Sequence, residues 1–543
     1  MTHPQRSCTY AGRTAAGLGV AMLLLGAASA SAFEIPTDNS DLRIRFDNTV
    51  RYNLGVRAEG IDSRIANNPN YDESDRKFGR GDVITNRLDI LSEFDVAFRE
   101  RYGLRVTGAF WYDNAYHDTD VNPNPALRGY VSGYNGNRYN SDVRRYYRGP
   151  SGELLDAFVY GRVDAGTVPV DVKIGRHVIY WGEGLLFGAH AISYSQAPLD
   201  GRKAVSSPGI ETKEVFLPVG QVSAKAQLSP NLSIAGQFFL EWDPTRVPAG
   251  GTYLAPADFL LGDRLAVGGN RSIPRIGDLE PHNIGNWGVN ARYNIESIDS
   301  TVGAYYRAFD DYTPWGPQTL PTGYRFVYAK DTKLIGLSFN TIGLGGASIG
   351  TEVSYRHNAA LNSASISAVD NQGARGNTWH AVANAVWLLD SSPVYDTGNL
   401  VVELAYSRLG EVTHNASLYK GRGYGGCVGL SAADGCSTRD YVGIAANFTP
   451  QWLQVFPSTD LDLPMTINYG LRGNAPTAGG GNEGVLTWSV GAKLTYQQRH
   501  EVTLRYTDQH ADGKYANNAL IGGNGSPQLN DRGYVSLTYK TSF

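Results

Sequence analysis

The stretch Leu42 to Arg57, LRIRFDNTVRYNLGVR, alternates along its whole length. Leu42, Ile44, Phe46, Val50, Tyr52, Leu54 and Val56 share one parity, and Arg43, Arg45, Asp47, Thr49, Arg51, Asn53 and Arg57 share the other. Only Asn48 interrupts the apolar set. Successive side chains of a strand point to opposite faces, so this segment has one apolar and one charged surface, which a helix would scatter. RLDILSEFDVAFR sets Leu88, Ile90, Phe94, Val96 and Phe98 against Arg87, Asp89, Glu93, Asp95 and Arg99, and LTWSVGAKLTY repeats the pattern from Leu486 to Tyr496. About eighteen such segments occur, each roughly 10 to 17 residues, longer than the roughly 5 to 6 of soluble sheets. They reach the roughly 9 to 11 residues that a tilted strand needs to cross a bilayer.

The connectors support the same reading. Links at Arg99 to Leu104, Leu228 to Leu232, Ile295 to Ser300 and Tyr496 to Val502 are tight. Between them fall long ones, at Ala58 to Asp82, His117 to Gly152, Glu183 to Pro218, Asp243 to Gly285 and Gly410 to Ser437. Transmembrane barrels show this asymmetry, with short periplasmic turns and long outer loops. The last segment, YVSLTYKTSF, alternates and stops on the aromatic Phe543, an ending that resembles the C-terminal signal read by the outer-membrane barrel-assembly machinery. In lipid an open sheet edge leaves backbone groups unpaired, so the strands must close. The expectation is an all-β, closed antiparallel transmembrane barrel of about eighteen strands, sixteen also fitting, surrounded by outer-membrane lipid.

The chain starts with an export signal. Arg6 and Arg13 precede an apolar run from Ala15 to Ala27, and Ala30-Ser31-Ala32 is a small-residue cleavage site. Residues 1–32 are therefore expected to be removed, and residues 33–543 to form the barrel. A formal net charge of −4 offers no argument for nucleic acid. Cys8 leaves with the signal, and Cys427 and Cys436, close together in an exported chain, fit a local disulfide better than a metal site. The Asn- and Asp-rich stretches Asn68 to Asp75 and His510 to Asn518 lack calcium-loop spacing, and Gly421 to Gly426 matches a dinucleotide fingerprint in letters only. No cofactor, metal or catalytic residue is expected. Tyr112, Trp242, Trp287, Trp387 and Trp488 read as interfacial girdle residues.

If the apolar parity faces lipid, Arg43, Arg45, Arg51 and Arg57 face the lumen, together with Arg87, Asp89, Glu93, Asp95 and Arg99. Charges of both signs favour mutual pairing that braces the wall; the sharper alternative is a basic track that draws carboxylates along a pore. IGRHVIYWGEGLLFG, Ile174 to Gly188, concentrates Arg176, His177 and Glu183. Arg176 falls on the lipid parity, so either the strand bulges there or Arg176 lies at the outer rim, and the adjacent Val178 and Ile179 just after it favour a bulge or an inward kink. Gly182 and Gly184 let the chain bend around Glu183, and an Arg176–Glu183 ion pair is the expected corner, with contact to a substrate path as the alternative.

Gly175-Arg176 and Trp181-Gly182-Glu183, then GIETKEVFLPVG and LSPNLSIAGQFFLEWDPTRVPAGGTY, resemble a proteobacterial exported family known as domain of unknown function 1302. The resemblance spans nearly the whole mature chain and is strongest from Leu154 to Phe259. It implies an outer-membrane barrel associated with uptake or breakdown of hydrophobic compounds, and it carries over no catalytic residue. His177 and Tyr180 stand where Gln and Asn are common in that family. The leading expectation is a channel or transporter for small hydrophobic or amphipathic substrates, whose long loops, including ADFLLGDR (Ala257 to Arg264), fold over or into the barrel. Alternatives are an outer-membrane lipid hydrolase using His177, His190 and Ser193, and a non-conducting scaffold for a periplasmic lipid carrier.

Overall fold

The computed structural model describes residues 33–543; the expected signal segment lies outside the described residues. One antiparallel sheet closes on itself. Its strands are β1 (Leu42–Arg57), β2 (Val83–Phe98), β3 (Tyr102–Asp113), β4 (Ser151–Ala165), β5 (Val168–His177) and β6 (Val219–Gln227). They continue as β7 (Leu232–Phe239), β8 (Trp287–Ile295), β9 (Ser300–Phe309), β10 (Thr332–Ile342), β11 (Ser348–Ala360) and β12 (Arg375–Leu389). The last six are β13 (Thr397–His414), β14 (Asp440–Phe456), β15, β16 (Leu486–Tyr496), β17 (His500–His510) and β18 (Tyr534–Ser542). Strand β15 comes in two pieces, Thr459–Asp462 and Met465–Arg472, because Pro464 between them has no N–H for the ladder. The barrel has 18 strands, closed by β18 on β1 from Thr49↔Ser542 to Arg57↔Tyr534. A short leader strand, Phe33–Ile35, continues the ladder on β1 beside the end of β18.

The parity read from the sequence fixes the two faces. On β1, Arg51, Asn53 and Arg57 are buried inside, while Phe46 is exposed on the outside. Ile335, Leu337, Val353, Leu404 and Leu504 continue the exposed apolar outer belt. The short-turn end uses tight hairpins. Arg99-Glu100 and Gln497-Gln498 each place both central residues at positive φ, the mirror-type turn that matches strand twist.

At the other end the long loops build a cap with its own core. Phe78, Tyr116, Tyr134, Tyr139, Tyr147 and Tyr253 pack together over the barrel mouth, drawn from the loops 58–82, 114–150 and 240–286. Phe259 and Leu260 from ADFLLGDR pack beside Trp242, Tyr312, Phe326 and Tyr328 in a neighbouring cluster. Trp242 is thus a buried cap residue, with its ring 4.8 Å from that of Tyr328, and not a girdle residue. The girdle expectation failed there because a loop tryptophan had an aromatic core to enter. Cys427 and Cys436 form a disulfide within the loop 415–439, their Cα atoms 6.1 Å apart.

Polar contacts lock the cap. Arg57, at the top of β1, reaches Asp75 and Asp531, both at 3.0 Å. The Asp258 carboxylate accepts the N–H groups of Glu73 and Ser74 at 2.8 and 2.9 Å. Asp72 accepts the Asn124 N–H at 2.6 Å, and Glu73 accepts that of Gly133 at 3.0 Å. Burial first, and the Asp258 carboxylate second, pushes Asp72 up to about 7 and Glu73 up to about 8. In an undocked loop such carboxyls ionise near ~4. Between those values the docked cap holds more protons than the undocked loop, so docking weakens as pH rises through this window. Hydrogen exchange of the amides of residues 63–78, corrected for the intrinsic chemical rate, should be faster at pH 8.5 than at pH 5. Equal or slower exchange at pH 8.5 would contradict this electrostatic account of the cap.

Candidate functional site

The loop 178–218, between β5 and β6, runs down into the lumen, and the inward face of the wall is built to hold it. Its first limb is the glycine-rich stretch WGEGLLFG. Glu352 of β11 accepts the N–H of Glu183 at 2.7 Å and of Ile192 at 2.6 Å. Gly182 has φ +95, and a Cβ there would lie 2.3 Å from the Glu352 carboxylate, so only glycine lets the chain come this close. Glu403 of β13 accepts three consecutive N–H groups, from Leu185, Leu186 and Phe187, at 2.6, 2.8 and 2.5 Å. Glu403 is fully buried and has no cationic partner among the described residues; the backbone amides do the work of a counter-ion.

Cations of the same wall take the loop's carbonyls. Arg307 of β9 donates to the carbonyls of Ile192, Tyr194 and Ser195 at 2.8, 2.6 and 2.7 Å. Arg356 of β11 donates to Ala191 at 3.0 Å and lies 4.1 Å over the Tyr194 ring. His190 meets His380 of β12 at 3.1 Å and the Gly480 carbonyl at 2.7 Å. Trp181 is packed with Ile192, Tyr305, Phe309 and Leu334, which fixes the start of the limb.

The second limb crosses to the opposite wall. Ser207 donates to Asp89 of β2 at 2.8 Å and accepts from Asn53 of β1 at 3.3 Å. Glu214 pairs with Arg51 at 2.9 Å, Lys213 with Glu93 at 2.5 Å, and Glu211 with Lys540 of β18 at 2.8 Å. A loop tied to β9–β13 on one side and to β1, β2 and β18 on the other spans the lumen. Beside it, against β14–β17, remains a slot of about 420 Å³. Leu186, Pro208 and Ile210 of the loop form one side, and Asn447, Thr466, Asn468, Thr487, Ser489, Arg505 and Thr507 of the wall form the other.

The residues singled out in the sequence scatter over this architecture. Arg51, Arg57 and Glu93 face inward but are tied to the loops, as described above. Asp95 pairs with Arg105 at 3.0 Å, and Arg43 lies 3.7 Å from Glu34 of the leader strand. Arg45 stands opposite Asp95 in register and makes no ion pair among the described residues. The interior charges thus bind loops more than they brace strand to strand. His177 is buried, with Nε2 2.8 Å from the Ser223 hydroxyl and Nδ1 3.0 Å from the Gly175 carbonyl. His177, His190 and Ser193 do not converge: the two histidines have separate partners, and among the described residues no carboxylate is hydrogen-bonded to either.

The expected pairing of Arg176 with Glu183 is corrected. Arg176 shares the outward parity of Ile174 and does not line the lumen; it binds Glu241 at 2.5 Å and Asp243 at 3.4 Å at the outer rim. Strand pairing on both sides of β5 stays in register, so the expected bulge is absent and Arg176 lies at the end of the strand, where the long loop begins. Glu183 points inward, 3.2 Å from Arg292 of β8. The two lie close in sequence, but the chain turns inward between them. Sequence reasoning missed Glu352, Glu403, Arg307, Arg356 and Arg505. All lie on polar parities that alternation could have flagged, whereas their partners are long-range and leave no local signal.

Removing the Glu403 carboxylate leaves three amides without an acceptor, and hydrogen bonds to a charged group are worth about 1.5–3 kcal/mol each. Glu403→Ala is expected to speed exchange of the Leu185, Leu186 and Phe187 amides at least tenfold while leaving exchange in β12 and β14 unchanged. Unaltered protection of those three amides would show that the carboxylate does not hold the limb.

A family model described as a protein of unknown function, DUF1302, matches residues 13–543. Among curated proteins no sequence matches the chain. Among solved structures it is similar to the outer-membrane protein OpdK of Pseudomonas aeruginosa, at 10% identity over 92% of this chain and 98% of that one, with a TM-score of 0.40. It is similar to the outer-membrane channel DcaP of Acinetobacter baumannii, at 11% identity over 95% and 100% of the two chains, with a TM-score of 0.37. A BenF-like porin of Pseudomonas fluorescens is similar at 10% identity over 93% and 99%, with a TM-score of 0.41. Likenesses this distant say nothing of what the chain carries.

Proposed function

The chain belongs to the DUF1302 family, which has no assigned activity, and we propose that it is a channel of the bacterial outer membrane for small amphipathic solutes. The observation that carries this reading is the slot beside the loop 178–218. Its volume of about 420 Å³ falls in the roughly 300–1,000 Å³ range of sites that hold one small molecule. The exposed apolar belt supports insertion in lipid, and the alternation of short turns with long loops supports an orientation with the cap outside. Solutes enter past the cap, meet the loop 178–218 as a partition, and pass through the slot toward the short-turn end. There Arg45, Glu93, Asp95 and Arg105 line a charged vestibule. The slot is narrow because the loop is fixed on two sides, so the channel passes solutes of limited cross-section and excludes larger ones. Apolar residues on the loop side and polar residues on the wall side, Arg505 among them, suit a solute with both characters.

Purified protein in planar bilayers is expected to give discrete, small current steps, and Glu403→Ala should raise the conductance of the open state about two-fold or more by loosening the partition. A barrel that stays sealed to salt and to small neutral sugars in both forms would overturn the channel reading.

A further inference from the structure

Arg505 of β17 is the only charged residue lining the slot among the described residues; the others are neutral. It lies on the inward parity, between Thr503 and Thr507, in register with Gly491 of β16 and Ser536 of β18. Among the described residues it makes no ion pair and no side-chain hydrogen bond, and its Nε is buried without a partner. The nearby lumen charges are occupied. Lys493 holds Asp462 at 2.6 Å, Lys540 holds Glu211 at 2.8 Å with Glu501 at 3.7 Å, and Arg51 holds Glu214. Glu352 and Glu403 are turned to the loop's amides. These charges are committed to holding structure, whereas Arg505 lines the slot with no ion-pair partner among the described residues.

A partly buried guanidinium without an acceptor is unfavourable, and five donors in a planar fork match a carboxylate in two-point fashion. The same slot is lined on its loop side by Leu186, Pro208 and Ile210, which present apolar surface. A neutral hydrophobe would use that surface and leave the guanidinium unsatisfied. A cation would be repelled, and a small inorganic anion would leave the apolar side wet. Resting on the channel reading, we propose that the slot is a binding site for amphipathic organic anions: Arg505 takes the carboxylate, and the Leu186–Pro208–Ile210 side takes the apolar body.

The test separates the site from the channel. Hexanoate and hexylammonium, equal in length and opposite in charge, are titrated calorimetrically into the full-length barrel in detergent, and each is then used to block salt currents in planar bilayers. Hexanoate is expected to bind at least tenfold more tightly than hexylammonium, with Arg505→Gln abolishing the difference and Arg505→Lys retaining part of it. Ile210→Asp, on the loop, sets a carboxylate across the slot from Arg505 and should also remove hexanoate binding without altering the strand. Equal binding of the two probes, or a preference that survives both Arg505→Gln and Ile210→Asp, overturns the proposal even if the barrel conducts. Hexanoate preference that depends on Arg505 in a barrel that never conducts supports the anion site and overturns the channel reading instead.

Discussion

The molecule depends on one kind of contact: buried charges on the inner wall bound to the main chain of a loop. A carboxylate or guanidinium inside a barrel must be satisfied or it destabilises the wall. Glu352 and Glu403 meet that need with amide N–H groups of residues 183–192, and Arg307 with carbonyls of residues 192–195. The dependence runs both ways. A loop that leaves secondary structure carries unpaired backbone groups, and the wall supplies acceptors and donors where it turns. Gly182 is part of the same fit, since any side chain there would displace the carboxylate.

This arrangement decides the shape of the lumen. Because the first limb is held to β9–β13 and the second to β1, β2 and β18, the free space is pushed to β14–β17. The slot wall there carries mostly Thr, Ser and Asn, with Arg505 its one charge among the described lining residues. Small neutral side chains neither recruit the loop nor fill the gap. The position of the loop and that of the slot beside it both follow from how inward charge is distributed around the barrel. Over the mouth, the aromatic cap is a second layer, and its buried acids make its attachment sensitive to pH.

The barrel was legible in the sequence because alternation is a local property that lipid and lumen impose on every strand. Leu42 to Arg57 alone sorts its residues to the correct faces, and the long and short connectors fall where the alternation predicts. Parity says which face a residue is on, but it gives neither depth nor partner. Parity places Arg51 and Arg57 inward, yet their partners Glu214 and Asp531 come from loops far along the chain. Arg176 and Glu183 are near neighbours in sequence, which suggests a pair, but a turn into the lumen separates them. Arg505 stood on the polar parity of its strand like many other residues. What distinguishes it, a place in the slot lining with no ion-pair partner among the described residues, exists only once the loop and the other charges have been placed.

The central claim, that the loop 178–218 lies across the lumen against the wall, is most directly tested by trapping it there. Asn53 Nδ2 and Ser207 Oγ are 3.3 Å apart on opposite sides of the contact between β1 and the loop's second limb. In the otherwise unchanged full-length chain, Asn53→Cys combined with Ser207→Cys is expected to form a disulfide under mild oxidation, in high yield and with strand pairing intact. Two thiols that remain free, and open to a bulky reagent added from either side of the membrane, would contradict the account.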